Sequence, residues 1–258
     1  MSLFRGAMFA LLMAVAPALQ ATNAAQAAVA IERPADVEIR EVGEGVWVHT
    51  SYYTYPDGTR YPANGLIVRE GDGLVLVDTA WGELATLALL DRIEAKIQLP
   101  VRRAVVSHAH GDRLAGADVL EARGIEVYAM PLTQRRAIAE GMPVPDHTLG
   151  ELDTPGATVR FGPVELFHPG PGHAPDNLMA WVPSQRVLFG GCAVRAAASN
   201  SLGSIADANL TEWPKAIRQA RARYATAKLV IPGHGDAGGP ELLDHTLALL
   251  EKMPETGP

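Results

Sequence analysis

The sequence predicts an α/β sandwich with two β-sheets inside and helices outside. Three observations carry this. First, the run Leu74-Val75-Leu76-Val77 is continuously apolar rather than alternating, so its strand is buried on both faces. Second, Leu84, Leu87, Leu90 and Ile93 recur at helical spacing directly after it, which gives the sheet an outer helical layer. Third, the second half of the chain repeats the logic of the first, with strands followed by helices, and two such halves pack sheet against sheet.

Taken in order, Val37 to Val42 and Val46 to Thr50 read as short strands joined at Gly43-Glu44-Gly45. Ser51 to Tyr61 carries Tyr52, Tyr53 and Tyr55 beside a Pro56-Asp57-Gly58 turn. Asp-Gly between β-formers is a hairpin signal, and these aromatics make either a substrate flap or an ordinary exposed turn. Asn64 to Arg69 and Leu74 to Asp78 are strands, and Gly82 to Ile97 is a helix. Asp78 at the strand tip either caps that helix or supports a site beside it. Ala104 to Ser107 is a buried strand leading into His108-Ala109-His110-Gly111-Asp112-Arg113. A helix over Leu114 to Arg123 stops at Gly124. Ile125 to Ala129 is a strand, Pro131 to Glu140 a helix, and the proline-rich 141–155 a loop.

In the second half, Ala157 to Phe161 and Val164 to His168 form a hairpin. The turn Pro169-Gly170-Pro171-Gly172 then delivers His173. Asn177 to Val182 and Arg186 to Phe189 are strands, the latter ending at Gly190-Gly191-Cys192. Leu210 to Tyr224 is a helix with Pro214 in its first turn, where proline is tolerated. Lys228 to Ile231 ends at Pro232-Gly233-His234-Gly235, and Pro240 to Lys252 forms the last helix.

Of 258 residues 48% are hydrophobic, enough for a sizeable core, and the net charge of −7 argues against a nucleic-acid binder, which would show a basic face. Arg5, the apolar stretch Gly6 to Leu19 and the Ala25-x-Ala27 pattern read as a secretory leader, 1–27, ahead of a single domain, 28–258. The apolar stretch is shorter than the roughly 20 residues a spanning helix needs. Cleavage removes Arg5 and would leave a charge of −8, that is −7 − 1. A periplasmic location is therefore expected. In an oxidising compartment the single cysteine, Cys192, is either buried and inert or a metal ligand.

The chain is organised around the H-x-H-x-D run. In an extended backbone, positions i, i+2 and i+4 point to one side, so His108, His110 and Asp112 converge, with Gly111 letting the chain turn tightly. His173, Cys192 and His234 each follow a glycine at another strand end. Six such ligands are too many for one tetrahedral zinc with an open position. They suit two Zn2+ per chain, each with three protein ligands, and imidazole with thiolate favours zinc over magnesium or calcium. Zinc lowers the pKa of bound water towards ~7, so the expected chemistry is hydrolysis. A zinc-sequestering protein without turnover is the reading from another class.

These residues resemble the metallo-β-lactamases of the subclass with three histidines at one zinc and Asp-Cys-His at the other. The resemblance runs from about Val37 to Leu250. The stretches Pro62 to Val68, Val77 to Gly82, Phe161 to Phe167, Gly190 to Ala193 and Val230 to Gly235 most resemble the Verona integron-encoded enzymes. It implies the αββα sandwich of the metallo-β-lactamase type. His108, His110 and His173 would bind the first zinc, and Asp112, Cys192 and His234 the second. A zinc-bound hydroxide, oriented by Asp112, would open the β-lactam amide bond of penicillins, cephalosporins and carbapenems and confer resistance.

Related thioester hydrolases carry histidine after the aspartate and a bridging aspartate later. Arg113 and Cys192 stand at those positions here, which points to the β-lactamase subclass and makes Arg113 a support for the metal site. Arg195 lies where the family places a basic residue for the substrate carboxylate, a role that suits a bidentate guanidinium. Gly203-Ser204 replaces the family's Gly-Asn, so Ser204 is expected to help the carbonyl oxygen less. Tyr52, Tyr53 and Tyr55 are expected to cover apolar parts of the substrate. His49, His147, His168 and His245 take structural roles, with His168 close enough in sequence to support His173. A monomer is expected, acting on a small molecule with no nucleic acid and, after leader cleavage, no membrane.

Overall fold

In a computed structural model of the chain, the structure describes residues 36–253. The expected leader, 1–27, lies outside them. The first sheet contains β1 (Val37–Gly43), β2 (Val46–Thr54), β3 (Arg60–Glu70), β4 (Gly73–Val77), β5 (Val101–Val105), β6 (Glu126–Ala129) and β7 (His147–Thr148), in sequence order across the sheet. The second contains β8 (Thr158–Phe161), β9 (Val164–Phe167), β10 (Met179–Val182), β11 (Val187–Gly191) and β12 (Leu229–Pro232), in the order β12-β11-β10-β9-β8. Helices α1 (Gly82–Lys96), α2 (Gly111–Leu114), α3 (Ala117–Glu121) and α4 (Pro131–Glu140) accompany the first sheet. Helices α5 (Trp213–Arg223) and α6 (Glu241–Glu251) accompany the second. Among the described residues no helix is long and apolar enough to cross a membrane.

Strand periodicity builds the four layers. Along β4, Leu74 and Leu76 join the cluster under α1 and α3, while Val75 and Val77 join the cluster between the sheets. Along β11, Val187 and Phe189 face the other sheet and Leu188 faces α5 and α6. Successive side chains point to opposite faces, and both faces are covered, so both sets are apolar. The αββα sandwich expected from the sequence is the fold observed.

Two expectations change at element level. The single helix over 114–123 is broken into α2 and α3 around Gly116. A Cβ at Gly116 would collide with the Thr86 hydroxyl of α1, and its N–H donates to Thr79 Oγ1 at 3.2 Å. The chain is thus pressed against α1 there and cannot continue as one helix. The loop 141–155 contains β7, a two-residue edge strand paired in parallel with Tyr128 and Ala129.

Strands β4, β5, β6 and β7 run parallel, as do β11 and β12. In open α/β sheets, ligands bind outside the carboxyl ends of parallel strands. Here those ends carry Asp78, His108, His110, Cys192 and His234. Two sets of hydrogen bonds join the sheets at this edge. Leu178 N–H donates to Ser107 O at 2.8 Å. Asn64 donates through its backbone N–H to Gly233 O, and through Nδ2 to Pro232 O and Gly235 O.

Candidate metal centre

After β5 the chain turns rather than staying extended. His110 has extended backbone angles and leads into α2, whose first turn closes with Leu114 N–H donating to His110 O at 2.9 Å. Asp112 therefore rides on a helical turn and swings away from the two histidines. The expected convergence of His108, His110 and Asp112 on one volume is corrected accordingly. His108 and His110 meet His173, and Asp112 meets Cys192 and His234. Gly111 also differs from expectation. Its φ is not positive and a Cβ there would meet nothing within 4 Å, so the turn does not require glycine. Gly233 does matter, since a Cβ would stand 2.6 Å from Cys192 N and 2.7 Å from Sγ.

In the first triad His110 Nδ1 lies 3.0 Å from His108 Nε2 and 3.2 Å from His173 Nε2. Three nitrogens each ~2.0–2.1 Å from one tetrahedral ion would stand roughly 3.3 Å apart, so this donor set fits a metal. In the second triad Cys192 Sγ lies 3.2 Å from His234 Nε2 and 3.8 Å from Asp112 Oδ2, and those last two atoms are 3.4 Å apart. Burial drives His108 well below its ordinary pKa, His173 to about 3 and His234 to about 4. Neutral imidazole, the ligating form, is what the fold presents. Burial pushes the Cys192 thiol up to about 12, against the pull of Arg113. Burial also opposes ionisation of Asp112, but Arg113 and the neighbouring histidines outweigh it and hold the carboxyl below its usual range.

Remote ring atoms fix the imidazoles. His234 Nδ1 lies 2.6 Å from Pro62 O, and His108 Nδ1 lies 3.1 Å from Ser107 Oγ. His110 Nε2 lies 2.8 Å from Asp207 Oδ2, a partner the sequence did not reveal. A lone aspartate in a long loop carries no signal. The hydrogen bond from His110, with help from Arg136, holds the Asp207 carboxyl below its ordinary value.

Arg113 is wholly buried behind the second triad. Its guanidinium donates to Asn64 O, to Gly233 O at 2.8 Å and to Cys192 Sγ at 3.1 Å. It also lies 2.8 Å from Asp112 Oδ2 and 3.3 Å from Asp78 Oδ2. Asp78 does not cap α1. It holds a left-handed φ of 65° while Oδ1 accepts Ser107 N–H at 2.6 Å and Oδ2 accepts Ser107 Oγ–H at 2.9 Å. Burial raises it to about 6, with Arg113 opposing.

The cleft above both triads is lined by Tyr55, Tyr61, Trp81, Arg195 and Ser204. Among the described residues Arg195 has no carboxylate partner, and its guanidinium packs against Gly203, where a Cβ would come within 3.1 Å of it. Tyr52 is a correction. Period-two alternation sends Tyr53 to Trp81, 5.4 Å between ring centroids, but turns Tyr52 to the opposite face. There its hydroxyl donates to Glu38 at 3.2 Å and Arg60 lies 3.9 Å over its ring. Tyr61, not singled out from sequence, lies 4.6 Å from the His234 ring. His168 Nδ1 meets Leu152 O at 2.9 Å, so it does not orient His173. His49 is core, His147 stacks on Tyr128, and His245 meets Ser199 O.

Residues 58–234 match the family model described as the metallo-β-lactamase superfamily. This chain belongs to that superfamily. A type 2 metallo-β-lactamase of Bacillus cereus is 40% identical over 217 residues, 83% of each protein. Among solved structures, a metallo-β-lactamase from Hirschia baltica has a TM-score of 0.81 at 36% identity, covering 83% of this chain and 98% of the other. The metallo-β-lactamase FIM-1 from Pseudomonas aeruginosa, in its mono-zinc form, gives 0.80 at 38%, covering 85% and 98%. Superfamily membership fits the two donor triads at the strand ends, one all-histidine and one Asp-Cys-His.

Proposed function

We infer that the chain is an exported, zinc-dependent β-lactamase that opens the amide bond of penicillins, cephalosporins and carbapenems. The observation that carries this is the pair of adjacent donor triads opening into one cleft, with Arg195, which meets no carboxylate among the described residues, at its wall. The donor chemistry, imidazole with one thiolate, favours zinc. His108, His110 and His173 would hold one ion, and Asp112, Cys192 and His234 a second. The relatives named above and the Asp-Cys-His triad support the three-histidine subclass, with the Verona-type enzymes as the pattern the sequence most resembles.

Zinc in these triads supplies a Lewis acid for the lactam carbonyl and acidifies water to about neutral pKa. The protein's own residues do the rest. Asp112 is ionised and offers a carboxylate oxygen to orient the attacking water. Arg195 faces the cleft and receives the substrate carboxylate in a charge-assisted contact. Tyr53, Tyr55, Tyr61 and Trp81 form an aromatic wall for the apolar parts of the drug. Ser204 is shorter than asparagine and reaches less far towards the carbonyl oxygen. The leader pattern in 1–27 supports export.

The test is carbapenem hydrolysis by the purified protein, with chelator and then with zinc returned. Loss and recovery of turnover are expected. A folded, zinc-loaded protein that leaves every β-lactam intact while cleaving a thioester or lactone would overturn the substrate class.

A further inference from the structure

Arg136, on the outer helix α4, touches no donor atom of either triad, yet it is tied to the first triad by two routes. Its Nη2 lies 2.7 Å from Asp207 Oδ2, the oxygen that also meets His110 Nε2. Its Nε forms a 3.4 Å ion pair with Asp176 Oδ1. The other oxygen of Asp176 accepts the N–H of Ala109 at 2.9 Å, and Ala109 stands between His108 and His110. One guanidinium therefore grips the ring of His110 through Asp207 and the ligand-bearing backbone through Asp176.

Each link has a physical reason. His110 turns Nδ1 towards the other two histidines, so Nε2 is the nitrogen left to carry a proton and donate it to Asp207. A carboxylate there fixes the ring and raises the basicity of the ligating nitrogen. Asp207 lies in the long loop between β11 and α5 with its side chain 36% exposed, so nothing in regular structure holds it. Arg136 does. Asp176 is fully buried, and a buried carboxylate without a cation is costly; Arg136 is its ion-pair partner. The rival reading of Arg136 is a surface pair with Glu140 one helical turn on, at 2.9 Å, which would matter little.

We propose that Arg136 is a positioning residue for the first metal site, setting its affinity by orienting His110 through Asp207 and the His108–His110 turn through Asp176. The inference rests on the metal-binding reading above but not on the substrate. Its measurement is therefore zinc binding to the metal-depleted full chain, in competition with a chromophoric chelator. A Cys192 thiolate-to-cobalt charge-transfer band reads the second triad separately.

Arg136→Gln is expected to weaken the first zinc by about 10-fold or more and to leave the second within about twofold. Asp207→Asn should do the same, and the double variant should lose no more than the worse single one. Arg136→Lys should recover only part, because one ammonium cannot span both carboxylates. Glu140→Gln should bind as the parent. Should Arg136→Gln fail to fold, Asp207→Asn and Arg136→Lys carry the test. First-site affinity unchanged in a folded Arg136 or Asp207 variant, equal weakening of both sites, or additive losses in the double variant would each overturn the proposal. A protein that passes these tests yet opens no β-lactam would sink the substrate reading alone.

Discussion

The two donor triads lie side by side, but they are supported from opposite directions. Behind Asp112, Cys192 and His234 sits Arg113, wholly buried, its guanidinium shared among two carboxylates, a thiol and two backbone carbonyls. Behind His108, His110 and His173 the support lies near solvent, in Asp207 and Arg136, with side chains 36% and 16% exposed. The interior arrangement joins β3, α2 and the turns after β11 and β12, so it belongs to the fold as much as to the site. The outer one joins a loop to a helix. Metal affinity can therefore be altered at the first triad through Asp207 without touching the core, whereas at the second the two are coupled.

The largest expected effect follows from that coupling. Arg113→Ala removes the only cation facing buried Asp78 and Asp112 among the described contacts and takes a donor from the Asn64 and Gly233 carbonyls. Breaking a buried charge network from one side costs about 3–5 kcal/mol. Denaturant unfolding of the metal-depleted protein should show a loss of that size, while Asp207→Asn, which removes a half-buried carboxylate, should cost well under half as much. Equal losses for the two variants would erase the distinction between interior and outer support.

How much of this could be read from the sequence follows the same division. The six candidate ligands were legible because metal chemistry restricts residue types and because strand-end glycines announced them. The sheet layers were legible because Leu74 to Val77 had no polar face. The sorting of ligands into triads could not be read from alternation, because a helical turn at Gly111 to Leu114 replaces the extended backbone that the spacing alone suggests. The resemblance, not the spacing, sorted them. Asp207, Asp176 and Arg136 were invisible, since partners 71 and 97 residues away from Asp207 leave no local pattern. Tyr52 was misplaced because three tyrosines were read as one cluster without applying the two-residue period to a strand that runs to Thr54.

A smaller effect separates the triads by proton count. Burial holds the Cys192 thiol up to about 12, so at neutral pH the metal-free protein keeps that proton and a metal at the second triad must displace it. Protons compete with metal there, and affinity should rise about tenfold for each unit of pH between 7.5 and 8.5. His173, held down to about 3, and His108, held well below its ordinary value, are already neutral in that window and surrender nothing. Zinc titrations at the two ends of the window should move the second dissociation constant and leave the first nearly still. Parallel slopes would mean that the thiol is already ionised before metal arrives, and that Arg113 does more than offset burial.

The smallest effect is expected at Gly111, and it is the sharpest check on where each triad gets its shape. Gly233 is sterically required, because a side chain there would enter the space of Cys192. Gly111 lies between His110 and Asp112, the one link in sequence between the triads, yet nothing lies within 4 Å of where its Cβ would be. It occupies the first position of α2, and exchanging glycine for alanine in a helix is favourable by up to about 1 kcal/mol. Gly111→Ala should therefore unfold no earlier than the parent and bind both metals as tightly. If it loses either metal, the turn between the triads depends on backbone freedom rather than on Arg113 and Asp176 gripping it from either side, and the two supports are not independent.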